Sequence, residues 1–274
     1  MFCGIELAAR IERAETDLIA TGSAAASERL GGAGFTFAFA GGVAAFAEPG
    51  SPLNKVAGLG FDGLPGPAEL DDLEKRYAAV ETPVQIELAQ LADPALAELL
   101  TRRGYRLVNF ENVLGRTLSE HNAAIVPSGI EVRPSDDTEF DIWLDVVADG
   151  FAHPDGQGVV SHEDFPRDII AAAMRDLTAA AGVRRYVAIR EGQLAGAASL
   201  RLADGIAQLT GAATRPEHRR HGIQSALLSA RLAIAATAGS EIAVITTQPG
   251  SKSQHNAQRS GFDLLYTRAI LVKD

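Results

Sequence analysis

One cysteine, Cys3, stands among the 274 residues. No disulfide can close within the chain, which fits a reducing compartment, and a lone thiol of this kind reads as a small apolar side chain. No apolar run approaches the roughly 18 residues of a membrane-crossing helix, so no membrane partner is expected. The first residues, Met1-Phe2-Cys3-Gly4-Ile5-Glu6, lack a basic segment followed by a long apolar stretch. They do not read as a signal peptide, and a cytoplasmic location is expected. Positive charge is also in short supply: 25 Lys and Arg stand against 35 Asp and Glu, a formal charge of -10. That argues against a general nucleic-acid binder, which needs a net basic face to replace counterions. Several motifs are missing as well. No Cys/His cluster has zinc spacing, so no metal is expected. There is no Gly-x-Ser-x-Gly elbow, no Gly-x4-Gly-Lys-Ser/Thr loop and no complete dinucleotide fingerprint.

What remains is an ordinary globular composition, 46% hydrophobic and 22% charged, in a chain long enough for one large domain or two of ordinary size. The pattern alternates helices and strands. Residues 4–20 read as a helix, and the Ser/Ala/Gly-rich residues 21–34 as a loop or helix end. Alternating aromatics from Phe35, then Gly41-Gly42, read as a hairpin. A strand candidate at 54–61, a helix around Leu70, Leu73, Tyr77 and Val80, a strand at 84–88 and a helix from Pro94 follow. Residues 105–118 are one long strand or two. Residues 120–129 have weak periodicity with Pro127 and Gly129, so the domain boundary is expected there, giving units 1–127 and 128–274. The second unit reads as helix (140–151), polar loop (152–164), helix (168–181), hairpin around Glu191-Gly192, strand (206–214), helix from Ile223, strand (242–247), short helix (251–259) and closing strand (262–272).

The halves echo one another. Arg102-x-Gly104-Tyr105-x-Leu107 matches Arg259-x-Gly261-Phe262-x-Leu264 at constant offset, and Leu114 then matches Leu271. The order of elements agrees too, which points to an internal duplication.

The most informative stretch is Thr214-Arg-Pro-Glu-His-Arg-Arg-His-Gly-Ile-Gln-Ser. Pro216 ends a strand and turns the chain. Gly222 lets backbone approach a ligand without a Cβ in the way. The amides from Arg220 to Ser225 include the first unpaired donors of the following helix, whose dipole favours an anion. Arg219, Arg220 and His221 add charge or donors. Together they suit a pyrophosphate, and a solvated basic turn that caps a helix is the alternative.

Arg219-Arg-His-Gly222-Ile-Gln224 after Thr214-x-Pro216 resembles the acyl-CoA pyrophosphate loop of the GNAT (GCN5-related) N-acetyltransferase superfamily. Ser253-x-x-Asn256-x-x-Arg259-x-Gly261-Phe262 resembles that family's late helix and following strand. The resemblance covers roughly residues 130 to 274. It implies an α/β fold of two GNAT-like mixed-sheet units in tandem, with the acyl-CoA site in the C-terminal one. It implies a V-shaped split between the strands at 206–214 and 242–247, which would hold the pantetheine arm of acetyl-CoA. Ala212, Ala213 and Thr214 would bind that arm through backbone, and Asn256 through its side chain. The phosphates would fall to Arg219, Arg220, His221, Gly222, Ile223, Gln224 and Ser225. Two departures stand out. Gln224 occupies a position that prefers Gly or Ala, which is tolerable with an outward side chain. Ala257 replaces a tyrosine that protonates the leaving thiolate in many relatives.

The implied reaction is transfer of acetyl from acetyl-CoA to an amine by direct attack in a ternary complex. A non-catalytic acyl-CoA-binding or sensing module is the alternative. No residue stands out as the base. Tyr266 and His255 are weak catalytic candidates, and Glu217 and Glu241 read as surface residues. His153, His162 and Asp164 in the polar loop are candidate contacts to the acceptor, a small-molecule or peptide amine. A monomer and a homodimer both remain open. In the N-terminal half, Gly58-Leu-Gly60-Phe-Asp62-Gly63 lacks arginines, and Asp62 would repel phosphate. This half is expected to be a reduced copy without a coenzyme loop, one that walls the acceptor pocket or completes a pseudo-dimer.

Overall fold

The computed structural model describes residues 1–119, 123–152, 158–159, 165–179 and 182–274. Its first half runs α1 (Ile5–Arg29), β1 (Phe35–Phe39), β2 (Gly42–Phe46), β3 (Lys55–Ala57), α2 (Pro67–Ala79), β4 (Val84–Ala89), α3 (Pro94–Arg102) and β5 (Arg106–Thr117). The second runs β6 (Ile130–Pro134), α4 (Phe140–Ala152), α5 (Arg167–Ala179), β7 (Val183–Arg190), β8 (Gln193–Ala203), β9 (Ile206–Thr214), α6 (Ile223–Thr237), β10 (Ile242–Thr247), α7 (Lys252–Arg259) and β11 (Asp263–Lys273). The stretch 105–118 therefore holds one strand, β5, and not two. Of the two alternatives for the stretch from residue 21, the structure takes the helix end: residues 21–29 continue α1. Ala24, Ala25 and Ala26 favour helix, and α5 packs on this extension. A Cβ on Gly22 would lie 2.8 Å from Leu177 Cδ2, and Arg29 donates twice to Asp176 at 2.8 Å.

The two expected units share one mixed sheet of eleven strands, ordered β1-β2-β3-β4-β11-β5-β10-β9-β8-β7-β6. The closing strands are exchanged. β5, from the first half, inserts between β10 and β11, while β11 inserts between β4 and β5. The register repeats the offset of the sequence echo. A shift of 157 positions, the separation of Gly104 and Gly261, maps the β5–β11 ladder onto itself. Phe110↔Ala269 becomes Asn112↔Thr267, Leu107↔Leu271 becomes Leu114↔Leu264, and Asn109↔Ile270 becomes Val113↔Tyr266. Even the bulges, which skip Val108 and Leu265, are images of one another. Glu111↔Arg268 maps to itself, so a pseudo-two-fold axis passes between these two residues.

Helices cover both faces. Ala197 packs with Trp143 and Val147 of α4, whereas its neighbour Ala198 packs with Leu227 and Leu228 of α6, as alternation along a strand requires. Helices α1 and α5 pack side by side, and α4 packs on α5, in one layer. Ala257 of α7 joins the α6 cluster on the other face.

The axis region is held by a buried charge network under α1. Arg268 Nε donates to Glu12 Oε1 at 2.8 Å, and the Tyr266 hydroxyl donates to the same oxygen at 2.6 Å. Glu87 Oε2 lies 3.7 Å from Arg268, and Lys55 donates to Glu87. Burial works to lower the Arg268 pKa, but Glu12, Tyr266, Glu15 and Glu87 outweigh it and hold the guanidinium charged. Replacing Arg268 by Met would leave Glu12 buried without its cation, while Glu87 keeps Lys55. Removing one partner of such a pair costs about 3–5 kcal/mol. Urea unfolding of Arg268→Met should show a loss of that size, whereas Arg102→Ala, an exposed residue, should stay within about 0.5 kcal/mol of the parent.

Candidate active site

Strands β9 and β10 begin as a parallel pair, Ile206↔Ile242 through Gln208↔Val244, and their ladder ends there. Beyond Val244, β10 stays bonded to β5, with Thr246↔Val113 and Thr247↔Asn112. β9 turns away at a bulge. Ala197↔Ala213 and Ser199↔Thr210 bracket two residues of β9 against one of β8, and such an insertion bends the strand. The bulge is clamped from both faces of the sheet. Arg231 of α6 donates through one nitrogen to the carbonyls of Ser199 (2.8 Å) and Thr210 (3.3 Å). Trp143 of α4 donates to the carbonyls of Tyr186 (3.2 Å) and Ala198 (3.3 Å). Arg231 is fully enclosed, and its removal from water pushes its pKa down to about 10.

The splay opens the expected split, a cavity of about 750 Å³, within the range of ligand sites. At one wall α6 presents its N-terminus. The first bond of that turn runs from Ala226 N to Gly222 O at 2.9 Å. The amides of Ile223, Gln224 and Ser225 therefore have no intrahelical acceptor, and all three residues line the cavity. Gly222 adopts φ +83°, a left-handed conformation that suits glycine, and a Cβ there would sit 3.3 Å from Pro127 Cγ. Arg219, Arg220 and Lys252 make this wall basic. Ala212, Ala213 and Thr214 lie along it on the bulged edge of β9, and Asn256 comes from α7.

Of the residues expected to hold the coenzyme, His221 alone is not on the cavity wall; it is exposed. Gln224 departs from the outward orientation expected of it. Its Oε1 accepts from Asn256 Nδ2 at 2.5 Å, tying α6 to α7 across the cavity. Neither weak catalytic candidate reaches the cavity. Tyr266 is buried with its hydroxyl committed to Glu12, because the exchanged β11 carries it under α1. His255 is exposed on the outer side of α7. Glu217 is exposed, and Glu241 pairs with Arg10 at 3.0 Å. His153, His162 and Asp164 lie outside the described residues. The nearby Val159 donates its amide to Pro249 O at 3.1 Å, so the α4–α5 connection touches the loop after β10.

Sequence reasoning missed several wall residues: His218, Glu111, Gly150, Thr246, Thr247 and Gln248. His218 is buried in the basic turn, its Nδ1 3.5 Å from Arg190. Its Nε2 and the Thr247 hydroxyl are buried with no hydrogen-bond partner among the described residues. Buried polar atoms of this kind are costly unless something else satisfies them, so their place on the wall fits a polar ligand. Glu111 carried no motif. It reaches the cavity only because β5 is exchanged.

The corresponding region of the first half is filled. Residues 58–63 fold into it, with Gly60 O accepting from Asp93 N at 2.9 Å and Leu59 buried in the core. The first turn of α2 carries Pro67, which has no amide hydrogen, and Glu69, whose carboxylate accepts from Gly66 N at 2.7 Å.

Arg231→Leu would leave the Ser199 and Thr210 carbonyls without their donor. At about 1–3 kcal/mol for each unsatisfied buried group, thermal unfolding should show a loss of at least about 2 kcal/mol.

Comparison with known proteins agrees with this geometry. A sequence model of the acetyltransferase (GNAT) family matches residues 152–262. No curated protein matches the chain. Among solved structures, a GCN5-related N-acetyltransferase from Kribbella flavida is similar over 92% of this chain and 95% of its own, at 20% identity and TM-score 0.64. A tandem GNAT protein from the clavulanic acid biosynthesis pathway is similar over 75% of this chain and 68% of its own, at 13% identity and TM-score 0.57. One from Sphaerobacter thermophilus covers 75% and 65%, at 16% identity and TM-score 0.55. At these identities the likeness is one of fold. The family match lies on the segment that builds the splayed strands and the basic helix N-terminus, so residues 152–262 are similar to the acetyltransferase (GNAT) family.

Proposed function

We propose that the protein transfers acetyl from acetyl-CoA to an amine by direct attack in a ternary complex. The observation that carries this reading is the α6 N-terminus, with Gly222 at φ +83°, opening onto the split between β9 and β10. The amides of residues 223–225, with Arg219 and Arg220, suit the coenzyme pyrophosphate. The edge of β9 at Ala212, Ala213 and Thr214 has lost its β10 partner. It suits the pantetheine arm, which would bond there as an added strand does. The linked side chains of Gln224 and Asn256 would border that arm. In the split, a backbone amide of β9 would donate to the thioester oxygen as charge develops on it. The acceptor is a small-molecule or peptide amine, and the site requires no metal.

One observation favours the alternative, a module that binds acyl-CoA without catalysis. No tyrosine hydroxyl lines the cavity among the described residues, since Ala257 stands on α7 and Tyr266 is spent on Glu12. Thiol release from acetyl-CoA separates the two readings: turnover with any primary amine supports transfer, and tight binding without turnover supports the module. Coenzyme A at 100 times its dissociation constant should stabilise the protein by about 2.7 kcal/mol, read as a thermal shift. Gly222→Val should abolish that shift, because a β-branched residue resists the left-handed conformation on which the amide cradle depends. No shift in the parent protein would defeat both readings.

A further inference from the structure

We propose that Glu111, supplied by the first half of the chain, takes the proton from the acceptor's ammonium; the proposal rests on the transfer reading above. Three observations carry it. Glu111 is the single carboxylate among the described residues lining the cavity. It stands on β5 one step beyond the last β5–β10 pair, Asn112↔Thr247, where the cavity wall continues through Gln248. It also lies on the opposite face of the sheet from the phosphate wall.

The face follows from the ladder. Paired residues of antiparallel strands share a face. Val113 pairs with Tyr266 and Glu111 with Arg268, and both Tyr266 and Arg268 bond Glu12 of α1. The intervening-face residue Leu114 instead joins the α6 cluster. Glu111 therefore points to the α1, α4 and α5 side, where Gly150 of α4 also lines the cavity. The α6 N-terminus lies on the other side. A donor anchored at α6 would bring its thioester into the split from one face, and a cationic amine drawn to Glu111 would enter from the other.

The step balances. The ammonium gives one proton to the Glu111 carboxylate and becomes a free amine. The nitrogen lone pair then forms the N–C bond at the thioester carbonyl carbon. The C–S bond breaks with its electron pair on sulfur. The new amide nitrogen sheds a second proton, which ends on the thiolate, and Glu111 passes the first to solvent. The substrate class is a primary amine that is protonated when it arrives.

The test compares the full chain with Glu111→Gln, a near-isosteric change, and with Glu111→Asp. Coenzyme A binding is read by calorimetry. Thiol release from acetyl-CoA is read with spermidine, kanamycin and a tetrapeptide with a free N-terminus. Loss of a general base costs about 10²–10⁴-fold in rate. The expected result is a coenzyme dissociation constant within twofold of the parent, turnover at least 100-fold lower in Glu111→Gln, and partial turnover in Glu111→Asp. Parent-like turnover in Glu111→Gln overturns the proposal and leaves the transfer reading standing. A parent that binds coenzyme A but releases thiol with none of the amines overturns both. If Glu111→Gln shifts the urea midpoint, Glu111→Asp decides: a folded Asp variant that retains turnover above background supports a carboxylate there, and one as slow as background overturns it.

Discussion

The antiparallel pairing of β5 with β11 is the constraint on which the molecule depends. Each strand belongs to one half by sequence and to both by hydrogen bonds. β5 gives one edge to β10 and the other to β11, and β11 does the same for β4 and β5. Without the exchange, each half would end in an open strand edge, and the Arg268 network would lose its cation. The core follows the same logic: Ile206, Ile242 and Val244 of the second half pack in one cluster with Ala8 and Ile11 of α1. Arg201 adds bonds to Ala14 O and Asp17. Arg29 does the same for α1 and α5 through Asp176. Polar contacts of this kind fix orientation, while the shared apolar cluster supplies most of the cohesion.

The two halves differ in that one fills its split and the other leaves it open. The residues on the pseudo-two-fold axis show this most plainly. Arg268 and Glu111 are structural images of opposite charge. Arg268 turns into the space beneath α1 and is consumed by Glu12 and Glu87. Glu111 occupies the equivalent place beside α4 and lines a cavity. The loops after β3 and β9 differ in the same sense. The first is apolar and glycine-rich, short enough to bond Asp93 and close the gap. The second is basic, and ends in a helix whose first turn carries no acidic residue.

Much of this was legible in the sequence. Periodicity located nearly every element, and the repeated Arg-x-Gly-aromatic-x-Leu segment has the same offset that relates the two ends of the β5–β11 ladder. Thr214 to Ser225 read as an anion site on turn chemistry alone. The misses share a cause, which is contact between residues far apart in the chain. Tyr266 and Glu111 trade apparent importance because strand exchange moves one under α1 and the other into the cavity. Gln224 meets Asn256 across two helices. His218 sits among charges that read as solvated, yet it is buried. Local propensity and motif spacing carry no information about which strand becomes whose neighbour.

The placement of charge also bears on the order of events. Cys3, the chain's single thiol, is half-buried at the start of α1, and burial raises its pKa. It lies off the cavity wall, so it offers no route through an acetylated thiol. The basic wall and Glu111 face opposite sides of the sheet, and the split between β9 and β10 joins them. An anionic donor and a cationic acceptor would then approach from separate entrances without competing for one, and their own charges would sort them. That arrangement favours both partners being bound at once, with the thioester and the amine meeting in the gap. A covalent relay would need a nucleophile in that gap. The only hydroxyls that β10 brings there belong to Thr246 and Thr247, with no histidine paired to either among the described residues. Direct attack requires less of the wall: a donor for the carbonyl oxygen, a base for the ammonium, and two faces that keep the reactants apart until they meet.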